Sequence, residues 1–191
     1  MKLNLKNALI LCVLSTACAT EEGAVADFLL IGGQVIDGSG SDPAQADLAV
    51  TGERISFLGD AASAGMQARD TVQVEDLVVT PGFIDMHSHA ELDADHGRDA
   101  LAFLHQGITT VALGVDGGGG SDVASRLEGW LRDGIGVNAF LFVGHNAARR
   151  SVIGMEDRTP TDKELIEMRS FVRKGMEEGA YGLSWPLLSP G

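Results

Sequence analysis

Two histidines one residue apart, His87 and His89, follow an apolar run in the stretch PGFIDMHSHAE, residues 81–91. Along a strand, residues i and i+2 point to the same face, so the two imidazoles are predicted to project together at roughly 6–7 Å spacing. Such a pair at a strand end can share one divalent cation. The alternative is a pair of surface histidines on an edge strand. The apolar run before them favours the metal site over this alternative.

A carboxylate stands at the corresponding end of the next apolar segment. Asp116 follows ITTVALGV, residues 108–115, and precedes four consecutive glycines. It either binds the same ion or bridges two ions, with glycines allowing close backbone approach, or it caps a turn, as Asp-Gly often does. His87, His89 and Asp116 are therefore the predicted metal ligands.

Four further residues near these strand ends each have two interpretations. Asp85 shares the parity of the histidines and either hydrogen-bonds a ligand or has a structural role. Glu91 either faces a substrate or is solvated. His145, after VNAFLFVG, either orients a substrate or packs in a loop. Arg149, predicted in the same loop, either attracts a substrate carboxylate or is a surface charge.

The elements that must position these residues alternate in type after residue 81. Strands are predicted at FIDMHSH, ITTVALGV, VNAFLFVG and AYGLS. Between them, GRDALAFLHQ is predicted as a helix with Leu101 and Leu104 on one face, and SDVASRLEGWLRDG as a helix capped by Ser121. A capping box at Thr161 opens a third helix that ends near Gly179. The alternation predicts a parallel α/β sheet with right-handed crossovers.

Residues 27–80 have a period of two that turn residues interrupt, and this predicts a small β domain. Its strands are FLLIGGQVID, a hairpin in ADLAVTGERISFLGD that turns at Gly52 and Glu53, and DTVQVEDLVVT. A (β/α)8 barrel needs about 250 residues, far more than residues 81–191 provide. The predicted fold is α/β: a small β domain, then the first half of a TIM-like barrel, in a truncated chain.

Composition limits the possible functions. The net charge is -13, so the body of the protein would repel nucleic acid. The first 17 residues have the basic and apolar regions of an export signal, and residues 18–26 are predicted as a linker. Cleavage before Cys18 would leave a lipid-anchored cysteine, and cleavage after Ala19 a free chain in which Cys18 is incidental. The protein is expected to be exported, either periplasmic or a membrane-anchored bacterial lipoprotein.

Several segments, in this order, resemble one known family: LLIGGQVIDGSG, ADLAVTGERISFLGD, PGFIDMHSHAE, GITTVALGVDGG, VGHNAARR and EEGAYGLS. They are similar to the N-terminal part of the N-acyl-D-amino-acid deacylases, or D-aminoacylases, of the metal-dependent amidohydrolase superfamily. The resemblance covers residues 27–191. It implies a TIM barrel beside a small β-sandwich built from both chain ends, with His87 and His89 binding one or two zinc ions.

The resemblance also identifies departures. The family has a cysteine ligand where this chain has Asp116, and many relatives have a bridging carboxylated lysine that AYGLSWP lacks. Trp185 and Ser189 stand in a segment that usually carries a tyrosine, which affects recognition of a D-amino-acid carboxylate. The family's remaining histidine ligands and its general-base aspartate are expected beyond residue 191.

The function that the resemblance implies is hydrolysis of a non-peptide C–N amide bond in a small N-acyl amino acid. The 191 residues alone are expected to give no turnover, since they lack the downstream ligands and base. Two alternatives stay open: an amidohydrolase for cyclic amides or lactones, and an exported remnant without catalysis.

Overall fold

The computed structural model describes residues 25–186, which form two units divided between Pro81 and Gly82. The predicted signal segment, the Cys18 anchor and Ser189 lie outside the described residues. No helix in the described range is long and apolar enough to cross a bilayer.

The first unit is a β-sheet in the order β3-β2-β1-β4, with β5 also paired to β1. Its strands are β1 (Ala26–Val35), β2 (Ala44–Thr51), β3 (Arg54–Gly59), β4 (Ala68–Gln73) and β5 (Val78–Val79). The β2–β3 pair is antiparallel and forms the predicted hairpin, and Gly52 takes the positive φ of its turn. β1 begins at Ala26, so the last residue of the predicted linker belongs to the strand.

One strand prediction in this unit was wrong. DTVQVEDLVVT forms two strands, β4 and β5, both parallel to β1. Asp76, with φ at 62°, turns the chain between them, and an L-residue in this left-handed conformation cannot continue a strand.

The second unit is a parallel sheet in the order β6-β7-β8-β9 with helices between the strands. Its elements are β6 (Phe83–Asp85), α1 (Leu101–Leu104), β7 (Ile108–Leu113), α2 (Val123–Asp133), β8 (Asn138–Gly144), α3 (His145–Ile153), α4 (Asp162–Glu177) and β9 (Gly182–Ser184). Val111, Leu113, Leu141 and Val143 fill the core beneath the helices. The α/β class and the parallel order are as predicted, because buried β-branched runs alternate with helical periods.

The helices differ from the prediction at their ends. α1 has four residues, since Ala100 before it takes a left-handed conformation with φ at 51°, and Leu101 and Leu104 are exposed. Asp122, not Ser121, occupies the N-cap of α2 and makes no side-chain cap. By contrast, the capping box between Thr161 and Glu164 is present at α4.

The segment after β8 is a helix, not a loop. α3 begins at His145, directly after Gly144, and contains Arg149. Its run of Ala and Arg has high helix propensity, and the absence of a side-chain N-cap removes the usual sequence signal of a helix start.

Candidate metal centre

The two histidines lie just beyond the end of β6. The strand was predicted to continue through His89, but it ends at Asp85, whose Oδ1 accepts a hydrogen bond from the His87 amide at 3.0 Å. Ser88 then donates its amide to the carbonyl of Ala112 at 3.1 Å and is 4% exposed. Since Ser88 faces inward, the exposed histidines on either side of it project together outward.

Asp116 completes a cluster with both histidines. Its Oδ2 lies 3.1 Å from Nε2 of His87 and 3.1 Å from Nε2 of His89. The two imidazole rings are 5.6 Å apart at 63°. Each of the three residues offers one ligand atom, and these three atoms lie within 4.8 Å of one another. Residues 25–186 contain no other group of three or more possible metal ligands with this spacing.

Asp116 reaches this position through a tight turn after β7. Its φ is 54°, and Gly117 follows with φ at 74°; aspartate tolerates this left-handed conformation better than most residues do. Ser184, in β9, fixes the turn: its Oγ donates to the carbonyl of Gly114 at 2.6 Å and accepts from the amide of Gly117 at 3.0 Å.

Close backbone packing requires glycine at two positions around the turn of Asp116, Gly119 and Gly144. A Cβ on Gly119 would lie 1.8 Å from the carbonyl oxygen of Phe142, and one on Gly144 would lie 2.0 Å from that of Gly117. The amide of Gly144 also donates to the carbonyl of Gly119 at 2.7 Å. The glycine run therefore lies directly on the backbone of β8, and this contact holds the turn that carries Asp116.

The donor set suits a divalent cation of intermediate hardness. Two imidazole nitrogens and one carboxylate oxygen are ligands of Zn²⁺ and similar ions, and three protein ligands leave a position open for water or substrate. The side chains of His87, His89 and Asp116 are 61%, 72% and 51% exposed, so an ion could enter from solvent. These residues fit a metal ion, and their role as ligands stays a prediction.

The other predicted site residues have contacts of their own. Glu91 is paired with His96 at 3.0 Å. Arg149 donates to the carbonyls of Glu156 and Arg158 and so holds the segment after α3. Asp85 bonds the backbone of His87 rather than its ring.

His145 opens α3 and stacks on Trp185, with ring centroids 3.8 Å apart. Sequence reasoning did not identify Ser184, because its two partners in the Asp116 turn lie 67 and 70 positions away. Its only signal is its place at the end of a predicted strand.

Comparison with known proteins finds relatives that are similar to most of this chain. No family model matches the chain. It is 35% identical over 181 residues to a D-aminoacylase of Alcaligenes xylosoxydans xylosoxydans, and 33% identical over 184 residues to an N-acyl-D-aspartate deacylase of the same organism. These matches cover 83% and 84% of this chain. Over most of its length, the chain is therefore similar to part of the D-aminoacylases and related deacylases.

Solved structures of D-aminoacylases and of a related deacylase are similar to the chain as well. A D-aminoacylase crystal structure that defines a novel subset of amidohydrolases superposes with a TM-score of 0.76 at 30% identity, over 86% of this chain and 39% of that one. An N-acyl-D-glutamate deacylase from Bordetella bronchiseptica, solved with zinc and a phosphonate inhibitor, gives 0.76 at 28% identity. The chain thus has the fold of part of an amidohydrolase with a TIM-like barrel. It spans 37% and 36% of the length of the two curated relatives.

Proposed function

We propose that the protein is a zinc-dependent hydrolase that cleaves the amide bond of N-acyl-D-amino acids, with one or two metal ions at His87, His89 and Asp116. The observation that carries the proposal is the convergence of Asp116 Oδ2 on both Nε2 atoms at 3.1 Å. The kinship with deacylases of N-acyl-D-amino acids supports the substrate class.

The residues of this chain would bind and orient. His87 and His89 offer neutral nitrogen ligands, and Asp116 adds an anionic oxygen that offsets part of the charge of a cation. A zinc ion held by these three residues would supply Lewis-acid polarisation of the acyl carbonyl and would make water more acidic. The exposed indole of Trp185, stacked on His145, gives a flat apolar surface at the same strand ends.

The test uses the protein at its full natural length. It is expected to release free amino acid from N-acyl-D-amino acids faster than from the L-enantiomers or from hydantoins, and to contain zinc by elemental analysis. His87→Asn and His89→Asn should each lower zinc content and turnover. The matched control is His105→Asn, an exposed histidine at the end of α1, which should change neither.

Two results would contradict the proposal. Faster turnover of hydantoins than of N-acyl-D-amino acids would reassign the protein to cyclic amides. Full zinc content in both histidine variants would remove the ligand assignment.

We also propose that the protein is exported and anchored through a lipid on Cys18, on the basis of the N-terminal sequence. Metabolic labelling with a fatty acid should mark the protein in bacterial membranes, and Cys18→Ala should abolish the label. A labelled Cys18→Ala variant would contradict this proposal.

A further inference from the structure

The segment that carries the candidate ligand histidines is tied to helix α2. Leu92 is fully buried in the core, and Asp93 follows it. Oδ1 of Asp93 accepts a hydrogen bond from Nε1 of Trp130 at 2.7 Å. Its Oδ2 accepts from Nε of Arg126 at 2.9 Å and lies 2.7 Å from the Nη2 of the same guanidinium. Two side chains of α2 therefore hold this carboxylate.

Arg126 and Trp130 together provide the hydrogen-bond donors for Asp93. They are four residues apart on α2 and so share a face. The guanidinium carbon of Arg126 lies 4.9 Å from the ring centroid of Trp130, which is 6% exposed. Burial raises the pKa of Asp93, but hydrogen bonds and charge from Arg126 and the bond from Trp130 outweigh it and hold the pKa below its usual range. The carboxylate is thus bound in its charged form, which gives the stronger type of hydrogen bond.

Helix α2 is itself fixed at its start. Val123 is 2% exposed. Because Asp122 makes no side-chain cap, Glu178 supplies one from the end of α4, accepting from the amide of Ala124 at 3.1 Å. Lys174 donates to the carbonyl of Ser121 at 2.8 Å. The chain that enters α2 comes directly from the glycine turn of Asp116, so α2 is a fixed reference for that turn.

The candidate ligands themselves have little side-chain support. Within residues 25–186, the only hydrogen-bond partner of either histidine ring is Asp116. All three side chains are more than half exposed, so packing does not restrict their rotamers. Their relative position consequently depends on how firmly the two backbone segments are held together.

We infer that Asp93 is a positioning residue for the candidate metal centre. Its contacts with Arg126 and Trp130, here the Asp93 clamp, join the segment after β6, which carries His87 and His89, to the helix that follows Asp116. The inference rests on the proposed metal centre. The clamp acts through the backbone and touches neither metal nor substrate.

The test measures Co²⁺ binding by the metal-depleted protein at its full natural length. Asp93→Ala is expected to weaken Co²⁺ binding about tenfold, the lower end of the effect of groups that orient metal ligands. Asp93→Asn, which keeps an oxygen for Trp130, should lose less. The matched control is Asp133→Ala, which breaks the ion pair between Arg132 and Asp133 at 2.9 Å on the same helix. Asp133 lines the same surface hollow as Asp93 but does not contact the histidine segment.

A second measurement does not require metal. Hydrogen exchange of the amides of residues 87–92 in the metal-free protein should be faster in Asp93→Ala than in Asp133→Ala. Trp130→Phe, which removes the indole donor together with part of the buried ring, should shift both measurements in the same direction. It replaces Asp93→Ala in the test if that variant fails to fold.

The outcomes distinguish failure of the Asp93 clamp from failure of the proposed metal centre. Absence of Co²⁺ binding by the unsubstituted protein would overturn the metal centre, and the positioning role with it. Faster hydrogen exchange of residues 87–92 in Asp93→Ala would still show that Asp93 holds the backbone of the histidine segment. The clamp is overturned if folded Asp93→Ala binds Co²⁺ with unchanged affinity. It is also overturned if Asp133→Ala weakens binding equally.

Discussion

The Oγ atom of Ser184 lies 3.0 Å from the amide nitrogen of Gly117 and accepts its hydrogen bond, although the residues are 67 positions apart. The same hydroxyl donates to the carbonyl of Gly114 at 2.6 Å. One side chain of β9 therefore closes both sides of the turn that presents Asp116. Three strands of the parallel sheet thus contribute to one site: β6 precedes the histidines, β7 precedes the carboxylate, and β9, on the far side of β8, holds the turn.

Ser184→Ala should loosen this turn. It leaves a partly buried amide and carbonyl without their partner, which costs about 1–3 kcal/mol of unfolding free energy. It should also weaken metal binding, because Asp116 loses its support. Urea unfolding and a Co²⁺ titration measure the two effects. The control is Ser151→Ala, which removes a single hydroxyl bond to Ala148 in α3; a loss of metal affinity as large as that of Ser184→Ala would contradict the role of Ser184.

Asp116 determines the chemistry of the candidate centre through its charge and its hard oxygen. Asp116→Asn keeps the shape but removes the anion, and a loss in Co²⁺ affinity of at least about tenfold is expected, as for changes around metal ligands. Asp116→Cys should restore binding through a thiolate and add a sulfur-to-cobalt charge-transfer band in the near ultraviolet, which the unsubstituted site lacks. Binding by Asp116→Cys without the new band would mean that residue 116 does not touch the ion.

The sequence was sufficient for the features that depend on local periodicity. The parity of His87 and His89 follows from a period of two, and it survives the early end of β6 because Ser88 still pairs with β7. The capping box of α4 is local as well, since its two side chains are three residues apart. Such features require no knowledge of tertiary contacts.

The features that the sequence could not predict depend on distant partners. Asp93 meets Arg126 and Trp130 across 33 and 37 positions, and Glu178 caps α2 across 54. The early end of β6 depends on the side chain of Asp85 competing for the His87 amide, a choice that propensity alone does not determine.

Gly119 should tolerate no side chain. In Gly119→Ala the new Cβ would lie 1.8 Å from the carbonyl oxygen of Phe142, a backbone atom of β8 that cannot move alone. A loss of about 3 kcal/mol in unfolding free energy is expected, at the upper end of overpacking. Gly129 in α2 is the matched control: a Cβ there meets nothing closer than 3.7 Å, so Gly129→Ala should stabilise by about 0.5–1 kcal/mol. Denaturant unfolding of both variants checks the pair, and equal stabilities would contradict the close packing of the glycine turn.

The capping box at α4 should make stability depend on acidic pH. Hydrogen bonds from Arg158, and then from the amide and hydroxyl of Thr161, hold the pKa of Glu164 well below its ordinary value of 4.5. A carboxyl with a lowered pKa in the folded state stabilises that state above its unfolded pKa, and the contribution disappears as pH falls through the folded pKa.

Glu164→Gln should therefore be less stable than the unsubstituted protein at neutral pH. The difference should shrink below about pH 4.5, where the unfolded carboxyl binds a proton but the folded one does not. Urea unfolding of both proteins between pH 7 and about pH 3 measures this. The control is Glu167→Gln, whose carboxylate lies 4.0 Å from Lys163 on the same helix; because that exposed pair contributes little, its removal should change stability only slightly at neutral pH. A difference for Glu164→Gln that stays constant with pH would show that the carboxylate charge does not stabilise the box.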